Sequence, residues 1–251
     1  MNKIFLALAF IALALGSGAE AVKASSSELS LNAEYRTVPV RSSMSRVESR
    51  VRDAAVRVVR VDGGHGSGSL VEYKNSQFIL TAQHVANGPM GSTYIIQKQG
   101  YEKIAILVYL DPLNDMALLW LDEPQEFDGG DAMPWKPLEQ LPSVGADINY
   151  SGYPGRHALL TFRGSIAGYA TSPDAGAQLI LNVFGWFGSS GSVIYTQDGK
   201  IVGVLYGVDV DYYRQQVNED IIWVTPIQNL NIDLALQPLC GQIPDLVQAC
   251  K

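Results

Sequence analysis

Leu80-Thr81-Ala82-Gln83-His84-Val85 closes an apolar run with a histidine. Upstream lies Gly66-Ser67-Gly68-Ser69-Leu70-Val71, another short apolar-ended run. Downstream, Asn114-Asp115-Met116-Ala117-Leu118-Leu119 starts an apolar run with an aspartate, and Gly188-Ser189-Ser190-Gly191-Ser192 sets a serine between glycines. Acyl transfer needs these parts: a hydroxyl nucleophile, an imidazole to take its proton, and a carboxylate that fixes the imidazole tautomer. Ser190, His84 and Asp115 are therefore the candidate catalytic residues. A histidine's ordinary pKa lies near neutrality, which suits a proton shuttle. Each residue also has a plainer reading. Ser190 could sit in a Gly/Ser hairpin turn, and His84 could be a satisfied core histidine. Asp111 and Asp122 are alternatives to Asp115, although Asp111 precedes Pro112 and reads as a turn residue. His65 lies in a Gly-rich stretch and reads as a turn; His157 follows Gly155-Arg156 and reads as a loop or strand start.

Around these segments the chain alternates short β-branched or aromatic runs with Gly, Asn, Asp and Pro. Residues 54–61, 68–73, 77–81, 93–97, 103–110 and 116–121 are candidate strands. Residues 122–142, rich in Pro, Gly and acids, read as a connector. Six further candidate strands follow at 147–152, 158–169, 177–183, 192–195, 200–206 and 221–224. Residues 229–237, preceded by Pro226, read as a closing helix. Residues 46–53 read as a short helix with Ser45 as its cap. Many short strands followed by one helix predict an all-β fold of barrels rather than βαβ units.

The order His, Asp, Ser is that of chymotrypsin, not of subtilisins or α/β-hydrolases. At these positions the chain resembles the trypsin-like, chymotrypsin-fold serine proteases, and most of all the HtrA/Deg-type protease domains without a PDZ domain. Gly66-Ser67-Gly68 resembles the strand leading to the family's histidine, Thr81-Ala82-Gln83-His84 its T-A-x-H, and Asp115-Met116-Ala117-Leu118-Leu119 its aspartate strand. Val144-Gly145, Ser151-Gly152-Tyr153-Pro154, Gly188-Ser189-Ser190-Gly191 and Asp198-Gly199-Lys200-Ile201-Val202-Gly203 resemble its second half. The resemblance implies two antiparallel β-barrels with a C-terminal helix. The first barrel would span about 54–121 and the second barrel with its helix about 143–238, with a tail at 239–251. It also implies an oxyanion hole from the N–H groups of Gly188 and Ser190, Phe184 at the base of the primary pocket, and Tyr206 and Gly207 on its wall. Asp209 and Asp211 could favour a basic side chain there or belong to a solvated loop. Ser192 replaces the motif's second glycine. Ser189 replaces its Asp or Asn, so a new N-terminal ammonium would find no charge partner beside the nucleophile.

Composition bounds the setting. The 251 residues are 47% hydrophobic and 17% charged, which supplies a sizeable core and excludes wholesale disorder. The net charge of −7 speaks against a nucleic-acid partner. Lys3, the apolar run 4–15 and Ala19-Glu20-Ala21 read as a signal peptide over residues 1–21, followed by an arm at 22–53 and the protease domain at 54–251. Export, periplasmic or extracellular, with no stable membrane anchor after cleavage, is the expectation. The two cysteines, Cys240 and Cys250, could then form a small terminal disulfide. No metal site and no cofactor are expected. The expected function is that of an exported serine endopeptidase acting on protein or peptide substrates. An inactive homologue that binds peptides, or an esterase on the same fold, is the alternative.

Overall fold

Ser45 starts the first element by capping it. Its hydroxyl accepts from the Glu48 N–H at 3.1 Å, while the Glu48 carboxylate accepts from the Ser45 N–H at 2.6 Å. This reciprocal capping box satisfies two otherwise orphaned donors and begins helix α1, Arg46–Ala54. The computed structural model describes residues 43–121, 132–172, 176–211 and 213–240. The signal-peptide reading at 1–21, most of the arm, Asp122 and Cys250 lie outside the described residues.

Six strands follow α1: β1 (Ala55–Val59), β2 (His65–Tyr73), β3 (Ser76–Thr81), β4 (Thr93–Lys98), β5 (Tyr101–Asp111) and β6 (Met116–Trp120). They pair antiparallel in the order β1-β4-β5-β6-β3-β2, and β1 pairs with β2 to close the barrel. The strands are rich in Val, Ile and Leu because their inward residues fill a barrel interior with no room for water. Phe78, Leu80, Ile96, Leu107 and Leu118 are fully buried there. A second closed barrel contains β8 (Asp147–Gly152), β9 (Leu160–Ser172), β10 (Gly176–Asn182), β11 (Val193–Thr196), β12 (Ile201–Asp211) and β13 (Gln216–Pro226), in the ring order β10-β13-β12-β11-β8-β9. The double-barrel expectation is met.

The side chains of β11 and β12 divide between two cores. Ile194, Val202 and Leu205 fill the second barrel, whereas Val193, Tyr195, Ile201 and Val204 join the first barrel's cluster. On β11 the period of two makes this division; on β12 the register shift opposite Ile194 and Tyr195 puts Val202 and Val204 on different cores, and the two strands together serve as both barrel wall and interface.

Three details differ from the sequence-based expectation. Within the 122–142 stretch, Met133–Pro134 form β7, which pairs parallel with Val71 and Glu72 of β2. Pro is tolerated there because β7 is a two-residue edge. The β12–β13 hairpin continues well beyond 206 and starts before 221; the register runs to Asp211↔Gln216. The closing helix is broken into a 3₁₀ turn at Ile227–Asn229, a short α2 at Ile232–Leu236 and a second 3₁₀ turn at Gln237–Leu239. Asn231 restarts the chain as an N-cap, its side chain accepting from the Leu234 N–H at 3.2 Å.

Candidate active site

His84 follows β3 on a tight turn in which the N–H groups of Val85 and Ala86 both donate to the Ala82 carbonyl at 3.2 Å. Its ring Nδ1 lies 2.7 Å from Asp115 Oδ2, and its own backbone N–H donates to Asp115 Oδ1 at 2.8 Å. A carboxylate only accepts, so this pairing requires the proton on Nδ1 and leaves Nε2 as the acceptor. Asp115 sits in the β5–β6 turn at φ +49°, a left-handed conformation that Asp tolerates better than most side chains. Asp111 holds that turn: its Oδ1 accepts from the N–H groups of Leu113 and Asn114, both at 3.1 Å. From the far end of the chain, Asn229 donates its Nδ2 to Asn114 Oδ1 at 2.8 Å. Asp111 is thus a turn residue, as its Pro neighbour suggests. His65 is the first residue of β2, and His157 lies in the β8–β9 loop with its carbonyl on Arg57.

Ser190 occupies a loop whose N–H groups divide into two sets. Those of Ser189, Gly191 and Ser192 donate to the carbonyls of Trp186, Leu205 and Ser189 at 2.9, 2.7 and 2.9 Å. Those of Gly188 and Ser190 donate to no carbonyl or side chain among the described residues. Gly191, at φ +87°, is seated so closely that a Cβ there would lie 2.1 Å from the Ser67 carbonyl oxygen and 2.2 Å from Thr81 Oγ1. Gly66 lies between Val85 and Ser190: a Cβ on it would meet Val85 Cγ2 at 2.5 Å and the Ser190 carbonyl at 2.9 Å. The serine loop therefore packs against the ends of β2 and β3, two residues from His84. Among the described residues no hydrogen bond joins the Ser190 hydroxyl to His84; such contacts commonly tighten only with substrate in place.

Beside this loop, aromatic rings form a tilted stack. Tyr150 and Phe162 have centroids 4.9 Å apart, and Phe162 and Phe184 5.3 Å. The Tyr150 hydroxyl donates to the Phe184 carbonyl, and burial pushes its pKa above the ordinary phenol range, so it remains a donor. Phe184 keeps 38% of its surface open. A Cβ on Gly207 would meet nothing within 4 Å, so β12 presents open backbone there. The Tyr206 phenol is also shifted upward, first by burial and then by the negative charge of Asp115, which puts it within electrostatic reach of that carboxylate. Asp209 accepts from Asn218 Nδ2 at 2.7 Å and from Trp223 Nε1 at 3.4 Å, while Asp211 accepts from the N–H groups of Tyr213 and Arg214 at 3.0 and 3.1 Å. Both carboxylates are thus engaged in holding the hairpin.

The trypsin-like peptidase domain family matches residues 66–204, a span that takes in the segments of His84, Asp115 and Ser190. This chain belongs to the trypsin-like peptidase family. No curated protein matches the chain. Among solved structures, the inactive form of Rv3671c from M. tuberculosis H37Rv, a serine-to-alanine variant, aligns at 17% identity over 79% of this chain and 92% of its own, with a TM-score of 0.60. The active form of the Rv3671c protease aligns at 17% identity over 79% and 84%, with a TM-score of 0.57. The serine endoprotease from Yersinia pestis aligns at 22% identity over 79% and 66%, with a TM-score of 0.54. These likenesses show the shared serine-protease fold.

Within this trypsin-like peptidase, the two departures from the serine motif have local explanations. Ser192 is fully buried opposite Gly152, where a Cβ would come within 2.3 Å of the Ser192 hydroxyl. A glycine on β8 thus makes room for the side chain that replaces the motif's second glycine. Ser189 is also fully buried, and its hydroxyl accepts from the Trp186 N–H at 3.3 Å, tying the turn that precedes Ser190. Sequence reasoning missed Ser67 and Tyr153 as neighbours of this loop. Gly66-Ser67-Gly68 reads only as strand, and no spacing rule links residue 67 to residue 188.

Proposed function

We propose that the protein is an exported serine endopeptidase. Ser190 Oγ attacks the substrate carbonyl carbon and its proton passes to His84 Nε2. The carbonyl oxygen takes up negative charge, which the N–H groups of Gly188 and Ser190 meet. Asp115 holds the imidazole tautomer and faces the imidazolium. His84 then gives its proton to the leaving amine, and a water molecule, deprotonated by His84, hydrolyses the acyl-enzyme and restores Ser190. The observation that carries this reading is the pattern of donors in the serine loop. The N–H groups of Gly188 and Ser190, on either side of the bonded Ser189 N–H, donate to no group among the described residues, beside a histidine already paired with a carboxylate. The open face of Phe184 supports cleavage after apolar or aromatic residues. Lys3, the apolar run 4–15 and Ala19-Glu20-Ala21 support export, and no helix among the described residues is long and apolar enough to cross a membrane. In an exported protein, Cys240 and Cys250 pair in a terminal loop.

The test is active-site labelling. A fluorophosphonate probe labels Ser190, and Ser190→Ala loses both labelling and peptide turnover, by about 10⁶ in rate. Robust peptidase activity in Ser190→Ala overturns the reading. Labelling with ester turnover but no peptide cleavage identifies an esterase instead.

A further inference from the structure

We propose that Ser67 is a positioning residue that holds both donors of the oxyanion hole; this rests on the catalytic reading of the serine loop above. Ser67 lies on β2, in the first barrel, and is fully buried. It makes four hydrogen bonds, two of which grip the residues that carry the free donors. Its backbone N–H donates to the Ser190 carbonyl at 2.8 Å. Its hydroxyl donates to the Gly188 carbonyl at 2.7 Å and accepts from the Tyr153 N–H at 2.9 Å. Its own carbonyl accepts from Thr81 Oγ1 at 2.7 Å, which anchors the strand beside the His84 turn.

The direction of the hydroxyl bond follows from valence. A backbone N–H can only donate, so Tyr153 must be the donor to Ser67 Oγ. The hydroxyl has a single proton, and that proton goes to Gly188. The orientation of the loop follows from planarity. In each trans peptide the C=O and the next N–H point in opposite directions. The Gly155 N–H holds the Phe187 carbonyl at 2.5 Å, so the Gly188 N–H faces the other way. The Ser192 N–H holds the Ser189 carbonyl, so the Ser190 N–H likewise faces away from it. Each donor is also flanked by a carbonyl on its own residue, and both of those carbonyls end on Ser67.

Gly188 is where this grip matters. At φ +93° and without a Cβ, it has no steric barrier of its own against rotation of its peptides. A side chain could not replace the hydrogen bonds as a brake, because a Cβ at 188 would lie 2.6 Å from the Tyr153 carbonyl. Without the Ser67 hydroxyl the Gly188 carbonyl has no donor among its described neighbours, so the Gly188–Ser189 peptide turns more freely and the backbone of Gly188, which sets the direction of its own N–H, loses its restraint on the C-terminal side. An oxyanion donor acts on charge that appears only in the transition state. The loss should therefore fall on kcat and spare substrate binding.

The experiment compares wild type with Ser67→Ala. With a peptide p-nitroanilide, kcat falls by about 10- to 100-fold, less than for outright deletion of a hole donor, and KM changes by less than about threefold. The affinity for the matching peptide aldehyde, whose hemiacetal oxygen occupies the hole, falls in parallel. Binding of the uncleaved peptide to Ser190→Ala and to Ser67→Ala/Ser190→Ala is equal, and the kcat–pH profile keeps its midpoint because the His84–Asp115 pair is untouched. Ser67→Cys, whose thiol is a weaker donor, gives an intermediate loss and carries the test should Ser67→Ala fail to fold. Wild-type kcat and aldehyde affinity in these variants, or an equal loss of ground-state peptide binding, overturn the proposal alone. A wild-type protein that neither cleaves the peptide nor binds the aldehyde overturns the catalytic reading and this proposal together.

Discussion

The two barrels hold their parts of the site in different ways. The first barrel presents His84 and Asp115 as a self-contained pair: two hydrogen bonds join them directly, and Asp111 ties the turn beneath Asp115. The second barrel presents Ser190 on a loop that its own strands only partly support. The loop is seated by Ser67 from the other barrel, by Gly155 from the β8–β9 connection and by Tyr150 beneath Phe184. A pair closed on itself tolerates change around it. A loop held by partners on several elements depends on how those elements pack, and the β11–β12 face buried against the first barrel is what fixes their spacing.

The comparison breaks most easily at the first barrel. Asp115→Asn is expected to lower kcat by about 10⁴ with the fold retained, because the amide stabilises the wrong imidazole tautomer. Asp111→Asn keeps an oxygen for the Leu113 and Asn114 N–H groups and should lower kcat by less than about tenfold. Steady-state kinetics on both variants check this, and the reverse ranking would show that the turn, not the pair, governs the site.

A smaller effect sharpens the role of α1 as a strap onto the second barrel. Glu48 is buried and bonds Arg163 of β9, and that hydrogen bond, with those from Ser45, outweighs desolvation and lowers its pKa to about 2. A carboxyl depressed in the folded state contributes stability that is fully present above its ordinary value near 4.5 and is lost as pH falls through about 2. Glu48→Gln should cost about 1 to 2 kcal/mol at neutral pH and flatten the acid limb of stability between those values. Urea titrations at several pH values decide it; an unchanged acid limb would mean the strap carries no load.

The smallest effect lies under the proposed pocket. Tyr150→Phe removes the donor to the Phe184 carbonyl at about 1 kcal/mol in stability. It should raise KM about two- to fivefold for substrates with an aromatic residue before the scissile bond while changing kcat less. A kcat loss without a KM change would place Tyr150 with the loop donors instead.

Much of this was legible in the chain itself. The order and spacing of the histidine, aspartate and serine segments identified the fold family, because each segment is local: an apolar strand ending at one polar residue. The Ser45 cap and the turn role of Asp111 were readable for the same reason, their partners lying within three residues. The extension of β12–β13 was hidden, since Asp209, Asp211, Asn218, Glu219 and Asp220 give that hairpin a polar, half-exposed composition that alternation of hydropathy does not mark. The break in the closing helix was hidden by the uses of its asparagines, Asn229 on the distant Asn114 and Asn231 as a cap. The fit of Ser192 against Gly152, and the grip of Ser67 on Gly188 and Ser190, belonged to tertiary structure alone. Their partners lie about 40 and 120 residues away along the chain, and a hydroxyl has no sequence period. Only the closure of two barrels and the register of their strands brings such groups within a bond length of one another.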